Sequence, residues 1–222
     1  MSYAELAVTT NFSFLRGASH PQEFVTQAQA LGYAAIGIAD RNSLAGVVRA
    51  YGEWKEMEGT RPQLLVGARL VFRDGTPDIL AYPKNRKAYG RLSRLLSIGK
   101  LRAQKGECLL DFTDLLDYRR GLLLIVVPPP SQLGLASQAP RCDTSPRSSL
   151  RSRGEEAGGS GGSRRDVRRS SLTEILTRLG GDTWLAASML YTGEDRRRLR
   201  DLARLARAAR VPLIAVNDVL YH

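Results

Sequence analysis

Histidine and cysteine are scarce in this chain of 222 residues. Its two histidines, His20 and His222, nearly exclude a metal centre built from imidazoles. The two cysteines, Cys108 and Cys142, rule out a disulfide framework, match no zinc-binding spacing and are compatible with a reducing cytosol. The longest strongly apolar stretch, residues 121–127, is far too short to cross a bilayer. We therefore expect a cytoplasmic protein with no membrane partner.

Positive charge is in clear excess. Lysine and arginine total 33 against 22 acidic residues, which gives a formal net charge of +11. Arginines concentrate in residues 141–169 and 196–210. Such a balance suits an anionic partner, and nucleic acid is the first candidate. An arginine-rich codon usage explains the same excess equally well.

Short apolar segments alternate with amphipathic ones along the chain. This pattern predicts strands at residues 3–9, 34–39, 63–72, 77–82, 121–127, 183–187 and 211–216. Helical patterns separate most of them, so we predict a parallel α/β fold, either a barrel or an open sheet. In both architectures ligands bind at the carboxyl ends of the strands.

Local signals define several of the helices. The first begins at Pro21, with Ser19 as the predicted cap and Gln22 at the capping-box spacing. A second helix is predicted to be capped by Asn42 or Ser43. Its predicted inner face consists of Leu44, Val47, Val48, Tyr51 and Trp54. Further helices are predicted around residues 89–96, at 109–116, at 172–179 and at 194–209.

One stretch departs from the alternation. Residues 128–171 are rich in proline, serine, glycine and arginine, a composition that buries little apolar surface. We therefore interpret residues 1–222 as a single domain with a disordered insertion at 128–171.

Four motifs follow one another at the predicted strand ends: NFSFLRG at 11–17, ADRNSLAG at 39–46, VGAR at 66–69 and AVNDVLY at 215–221. In this order they resemble the N-terminal PHP (polymerase and histidinol phosphatase) domain of bacterial C-family DNA polymerases, and within that group the error-prone branch. The resemblance covers nearly the whole chain outside residues 128–171. It implies an irregular seven-stranded β/α (TIM-like) barrel of the PHP type.

Active members of this family hold metal ions at the strand ends, mostly through histidines and acids. The resemblance assigns those positions here to Ala7, Thr9, Arg16, Arg41, Arg69, Asp78, Asp218 and Leu220. Asp218 keeps the family residue, and so does Asp40 beside position 41, whereas the other residues depart from the family pattern. At an effective dielectric of about 20, one guanidinium about 5 Å from a divalent ion repels it by roughly 6 kcal/mol. We therefore expect neither a bound metal nor a catalytic residue in this chain.

The three arginines at these positions need partners, because a buried unpaired charge costs several kcal/mol. Our hypothesis is a salt-bridge cluster that fills the space of the metals and contains Arg16, Arg41, Arg69, Asp40, Asp78 and Asp218. The alternative is that the arginines form an anion pocket for a phosphate group.

The resemblance implies a fragment or truncated product of an error-prone polymerase, with a structural role and no cofactor of its own. The parent enzyme would use Mg²⁺ and act in damage-induced mutagenesis and translesion synthesis. Implied partners are the polymerase core domains, DNA through the parent enzyme, mutasome proteins and the sliding clamp. Two alternatives remain open: a self-standing metal-dependent phosphoesterase or exonuclease of the PHP type, and a nonspecific nucleic-acid-binding module.

Overall fold

The computed structural model describes residues 3–129, 171–191 and 193–221. Most of the predicted insertion at 128–171 lies outside the described residues. The strands are β1 (Ala4–Val8), β2 (Ala35–Arg41), β3 (Gln63–Leu70), β4 (Asp78–Pro83), β5 (Leu122–Val127), β6 (Thr183–Ala187) and β7 (Leu213–Ala215). The helices are α1 (Pro21–Ala30), α2 (Ala45–Glu56), α3 (Arg86–Leu101), α4 (Phe112–Tyr118), α5 (Leu172–Leu179) and α6 (Asp195–Ala209). No helix in the described ranges is long and apolar enough to span a membrane.

The seven strands lie side by side in chain order in one curled sheet. Its two ends meet through a parallel bridge between Val8 and Val219. There the Thr9 amide donates to the Val219 carbonyl, and the Val219 amide donates to the Ala7 carbonyl, both at 2.9 Å. The predicted irregular seven-stranded β/α barrel is therefore confirmed.

One strand runs against the others. β4 pairs antiparallel with both β3 and β5, whereas the other neighbouring strands pair in parallel. Only residues 71–77 connect β3 to β4. A parallel crossover needs a dozen or more residues, so this connection is long enough only for a reversal. The prediction of a wholly parallel sheet was wrong at β4.

The helix starts differ from the predicted caps. His20 rather than Ser19 occupies the N-cap of α1, and its amide donates to the Glu23 carboxylate at 2.6 Å. Leu44 occupies the N-cap of α2. The Asn42 side chain is engaged elsewhere, because it exchanges hydrogen bonds with the Val71 backbone at 2.9 and 3.1 Å.

Two further helix predictions need correction. α2 buries Gly46 and Ala50, whereas Val48 and Tyr51 of the predicted inner face are 75% and 53% exposed. A Cβ on Gly46 would lie 2.4 Å from an Asp40 oxygen, so α2 approaches the sheet through its smallest residues. α4 begins at residue 112 rather than 109, because residue 110 is held in a β-bridge to residue 72.

The barrel interior is closed by an aromatic side chain. Tyr82 on β4 is 7% exposed and packs in an apolar cluster with residues of β1, β2, β5 and β6. Its hydroxyl donates to the Leu6 carbonyl at 2.5 Å, and burial raises its pKa. Cβ atoms added to Gly37 or Gly67 would lie 2.4 Å from this side chain, so both positions require glycine. The larger part of the core lies outside the sheet, under α3 to α6.

Candidate functional site

Four charged residues of the predicted site lie at one edge of the sheet. Arg41 ends β2 and is in register with Arg69 near the end of β3. Asp78 begins β4 and reaches the same edge because β4 runs antiparallel to β3. Asp218 follows β7, and the adjacent residue Val219 is bridged to β1. The fold thus brings together side chains from four separate segments.

These four residues form a network that we call the arginine–aspartate cluster. Arg41 Nη1 lies 3.0 Å from Asp78 Oδ2, and Arg69 Nη1 lies 3.9 Å from the same oxygen. Arg69 Nη2 forms a close ion pair with Asp218 Oδ1. The Arg69 side chain is only 7% exposed, whereas those of Asp78 and Asp218 are 27% and 37% exposed. Arg69, the most buried of these four residues, therefore has two anionic partners.

Asp40 lies outside this cluster, which differs from the salt-bridge hypothesis. It is 1% exposed and accepts hydrogen bonds from the Thr10 amide at 2.9 Å and from the Ser13 hydroxyl at 2.7 Å. The Thr10 hydroxyl donates to both carboxylate oxygens, at 2.9 and 3.0 Å. These donors satisfy the carboxylate, so Asp40 anchors the β1–α1 loop instead of pairing with an arginine.

Arg16 also lies outside the cluster. Its side chain is exposed and forms no ion pair with any residue that the structure describes. Backbone bonds from the amides of Arg16 and Gly17 to the Ser13 carbonyl, at 2.9 and 3.2 Å, close a tight turn.

The remaining family positions offer little to a ligand. Ala7 is buried in the apolar interior. The Thr9 hydroxyl is buried and has no hydrogen-bond partner among the described residues. Leu220 takes part through its backbone, since its carbonyl accepts from the Ala18 amide at 2.8 Å.

The donor set does not fit a metal cluster. Within the ranges that the structure covers, no three histidine, cysteine or acidic side chains lie together as a metal site requires. The oxygens of Asp78 and Asp218 face guanidinium groups, and those of Asp40 accept from hydroxyls and an amide. A divalent ion would have to compete with Arg41 and Arg69 for their carboxylates.

An open cleft of about 610 Å³ adjoins the cluster and shares Arg41 with it. Its walls are the β1–α1 loop, the β2–α2 loop, and the end of α3 with the loop that follows. Lys100 and Lys105 contribute charge to the far wall. Sequence reasoning missed both lysines, because no spacing connects them to the four motifs and only tertiary folding places them there.

The chain is therefore a β/α-barrel domain with a polar site at the edge where β1, β2 and β3 end. The PHP domain family profile matches residues 5–152, more than half of the sequence. The chain belongs to the PHP domain family.

Its curated relatives include error-prone DNA polymerases. The one from Rhodopseudomonas palustris (strain BisA53) is 52% identical over 238 residues, which cover 99% of this chain and 20% of the relative. Those from Bradyrhizobium sp. (strain ORS 278) and Caulobacter vibrioides are 50% and 45% identical, and each match covers 99% of this chain and 17% of the relative. The chain thus spans about a fifth of the length of these relatives.

Solved structures share the fold. A protein from Bifidobacterium adolescentis, assigned as a metal-dependent phosphoesterase, superposes with a TM-score of 0.60 at 14% identity, covering 98% of this chain and 87% of that one. An amidohydrolase from Chromobacterium violaceum with bound sulfate and no metal gives 0.57 at 13% identity, covering 99% and 88%. At such identities the likeness concerns the fold alone.

Proposed function

We propose that this chain is the PHP domain of an error-prone DNA polymerase and that the role of the domain is structural. The polymerase itself would act in damage-induced mutagenesis and translesion synthesis. Relatives of that name, 45–52% identical, align with nearly the whole chain and support this assignment. Primer extension with Mg²⁺ would belong to the polymerase core, outside this barrel. The domain would pack against that core in the cytoplasm, and DNA, mutasome proteins and the sliding clamp would be partners of the whole enzyme.

The arginine–aspartate cluster is the observation that carries the structural role. It occupies the edge of the sheet where active family members are expected to hold their metals. Arg41 and Arg69 neutralise Asp78 there, and Arg69 also engages Asp218. These ion pairs link β2, β3 and β4 to the segment after β7, so they act as electrostatic cross-links of the barrel. Ion pairing with guanidinium groups engages both carboxylates and opposes their use as a general base or a metal ligand.

Metal content tests the loss of the metal site. The purified chain is incubated with zinc and manganese, passed through gel filtration and measured by elemental mass spectrometry. We expect less than about a tenth of an equivalent per chain, since one guanidinium about 5 Å away repels a divalent ion by roughly 6 kcal/mol. One retained equivalent, together with phosphodiester hydrolysis that Asp78→Asn abolishes, would establish the metal-dependent phosphoesterase alternative instead.

A chimeric polymerase tests the structural role. This chain replaces the matching segment of the Rhodopseudomonas palustris relative, and primer extension is measured on an undamaged and a damaged template. We expect the chimera to extend primers. We expect the polymerase from which the segment is deleted to yield no folded enzyme. Arg69→Met in the chimera should lower its melting temperature and leave the extension rate of the folded enzyme unchanged. Loss of extension in a fully folded Arg69→Met chimera would contradict a purely structural role.

A further inference from the structure

The cleft beside the arginine–aspartate cluster carries an excess of positive charge. Arg16 stands on one wall, and Lys100 and Lys105 stand on the other. All three side chains are exposed, and none forms an ion pair with a described residue. Glu107 is the one acidic residue in the described lining. The cleft therefore attracts anions more strongly than a surface of mixed charge.

The same cleft displays an aromatic side chain. Phe14 lies in its wall and is 84% exposed, and Phe12 beside it is 40% exposed. Leaving a phenylalanine in water forgoes about 1.5–3 kcal/mol of burial free energy. Neither ring belongs to the described apolar clusters. Exposed rings among cations are the arrangement on which nucleic-acid bases stack.

The loop that carries Phe14 is held in place from below. The hydroxyl of Ser13 donates to buried Asp40 at 2.7 Å and accepts from the Arg41 amide at 2.9 Å. Leu15, two residues after Ser13, has φ 58°, a left-handed conformation that a leucine keeps only when its surroundings impose it. Phe14 and Arg16 are thus presented by a fixed turn, and binding has little loop entropy to overcome.

We propose that this cleft binds single-stranded nucleic acid, with backbone phosphates on Arg16, Lys100 and Lys105 and a base stacked on Phe14. An acidic peptide would use the same cations and would leave the ring without a planar partner. A duplex keeps the faces of its bases stacked on one another, out of reach of Phe14. This binding site goes beyond the proposed structural role, and loss of binding would leave that role intact.

Fluorescence anisotropy of the whole chain with a labelled 12-nucleotide oligothymidylate, at about 50 mM salt, tests the charge. Arg16→Ala combined with Lys105→Ala should raise Kd by about tenfold or more. It should also reduce the slope of log K against log salt by about 1.4, since each single-strand phosphate contact contributes about 0.7. The matched control is Arg200→Ala with Arg207→Ala on the exposed face of α6, which removes equal charge and should change Kd less than about twofold.

A second pair of variants tests stacking. Phe14→Ala should raise Kd about fivefold or more without altering the salt slope, because the slope counts phosphate contacts, and a ring that stacks on a base makes none. Tyr191→Ala removes another ring, 87% exposed, that does not line the cleft and should have no effect. Circular dichroism confirms that each variant is folded.

Three results would overturn the proposal. One is an absence of binding at about 50 mM salt. Another is equal weakening by the cleft and α6 double variants, which would reduce the effect to net charge. The third is an unchanged Kd for Phe14→Ala with full competition by an oligoglutamate of matched charge, which would assign the cleft to an acidic protein segment.

Discussion

Replacing Arg69 by alanine is the most direct perturbation of the arginine–aspartate cluster. The truncation removes the close ion pair with Asp218 and the ion pair with Asp78 at 3.9 Å. Asp78 retains its ion pair with Arg41 at 3.0 Å. Breaking a buried ion pair on one side typically costs about 3–5 kcal/mol. Water reaches the two carboxylates, whose side chains are 27% and 37% exposed, and hydrates the orphaned charge. We therefore expect a loss of about 2–3 kcal/mol in the free energy of unfolding.

Urea unfolding at pH 7, followed by circular dichroism and tryptophan fluorescence, measures this loss. For a chain of 222 residues it corresponds to a fall of about 4–12 °C in melting temperature. Arg69→Met keeps the aliphatic stem and separates charge from packing. Arg204→Ala is the matched surface control, because it breaks an i,i+3 pair with Asp201 on α6 and should cost about 0.5 kcal/mol or less.

The comparison between Arg69→Ala and Arg204→Ala decides whether the arginine–aspartate cluster stabilises the barrel more than a surface ion pair does. If the two losses agree within about 0.5 kcal/mol, the cluster is no more than a surface ion pair, and its role as a cross-link is refuted. A double-mutant cycle of Arg69→Met with Asp218→Asn then measures the coupling directly.

Two smaller perturbations complete the set. Gly17→Ala should lower the free energy of unfolding by about 1–3 kcal/mol in urea, because the new Cβ would lie 2.2 Å from the Thr10 carbonyl oxygen. The control is Gly90→Ala, whose Cβ would meet nothing within 4 Å and which should leave that free energy unchanged or raise it. The hydrogen bond from Arg73 lowers the pKa of the Asp111 carboxyl in the folded chain. The interaction between Arg73 and Asp111 therefore stabilises the fold above the ordinary aspartate pKa of about 3.9, and this stabilisation is lost as pH falls through the lowered pKa of the folded state. The gap in unfolding free energy between the unaltered chain and Arg73→Ala should therefore close in acid, and a gap that persists at about pH 2 would contradict the assignment.

Sequence patterns predicted the order and approximate bounds of the elements, because hydrophobic periodicity distinguishes strands from helices. They were wrong about the buried face of α2, where small residues make the contact, and about β4, because periodicity carries no strand direction. The rule that ligands meet at the carboxyl ends of strands pointed to Arg41, Arg69 and Asp218. Asp78 begins its strand, and only the reversal of β4 carries it to the same edge. Whether a strand-end carboxylate such as Asp40 takes hydroxyl or guanidinium partners depends on the conformation of the neighbouring β1–α1 loop, which residue spacing does not encode.

The bridge between Val8 and Val219 has a consequence for biosynthesis. The Glu5 carboxylate also accepts from the Asn217 amide at 3.2 Å, and these residues are 212 positions apart. At about 5–20 residues per second, a ribosome needs roughly 10–40 s to deliver the second partner. During that interval the free edge of the first strand is open to any extended segment nearby. β1 is thus the last strand of the barrel to gain all its hydrogen-bonding partners, and it is open to mispairing until residues 217–219 have been synthesised.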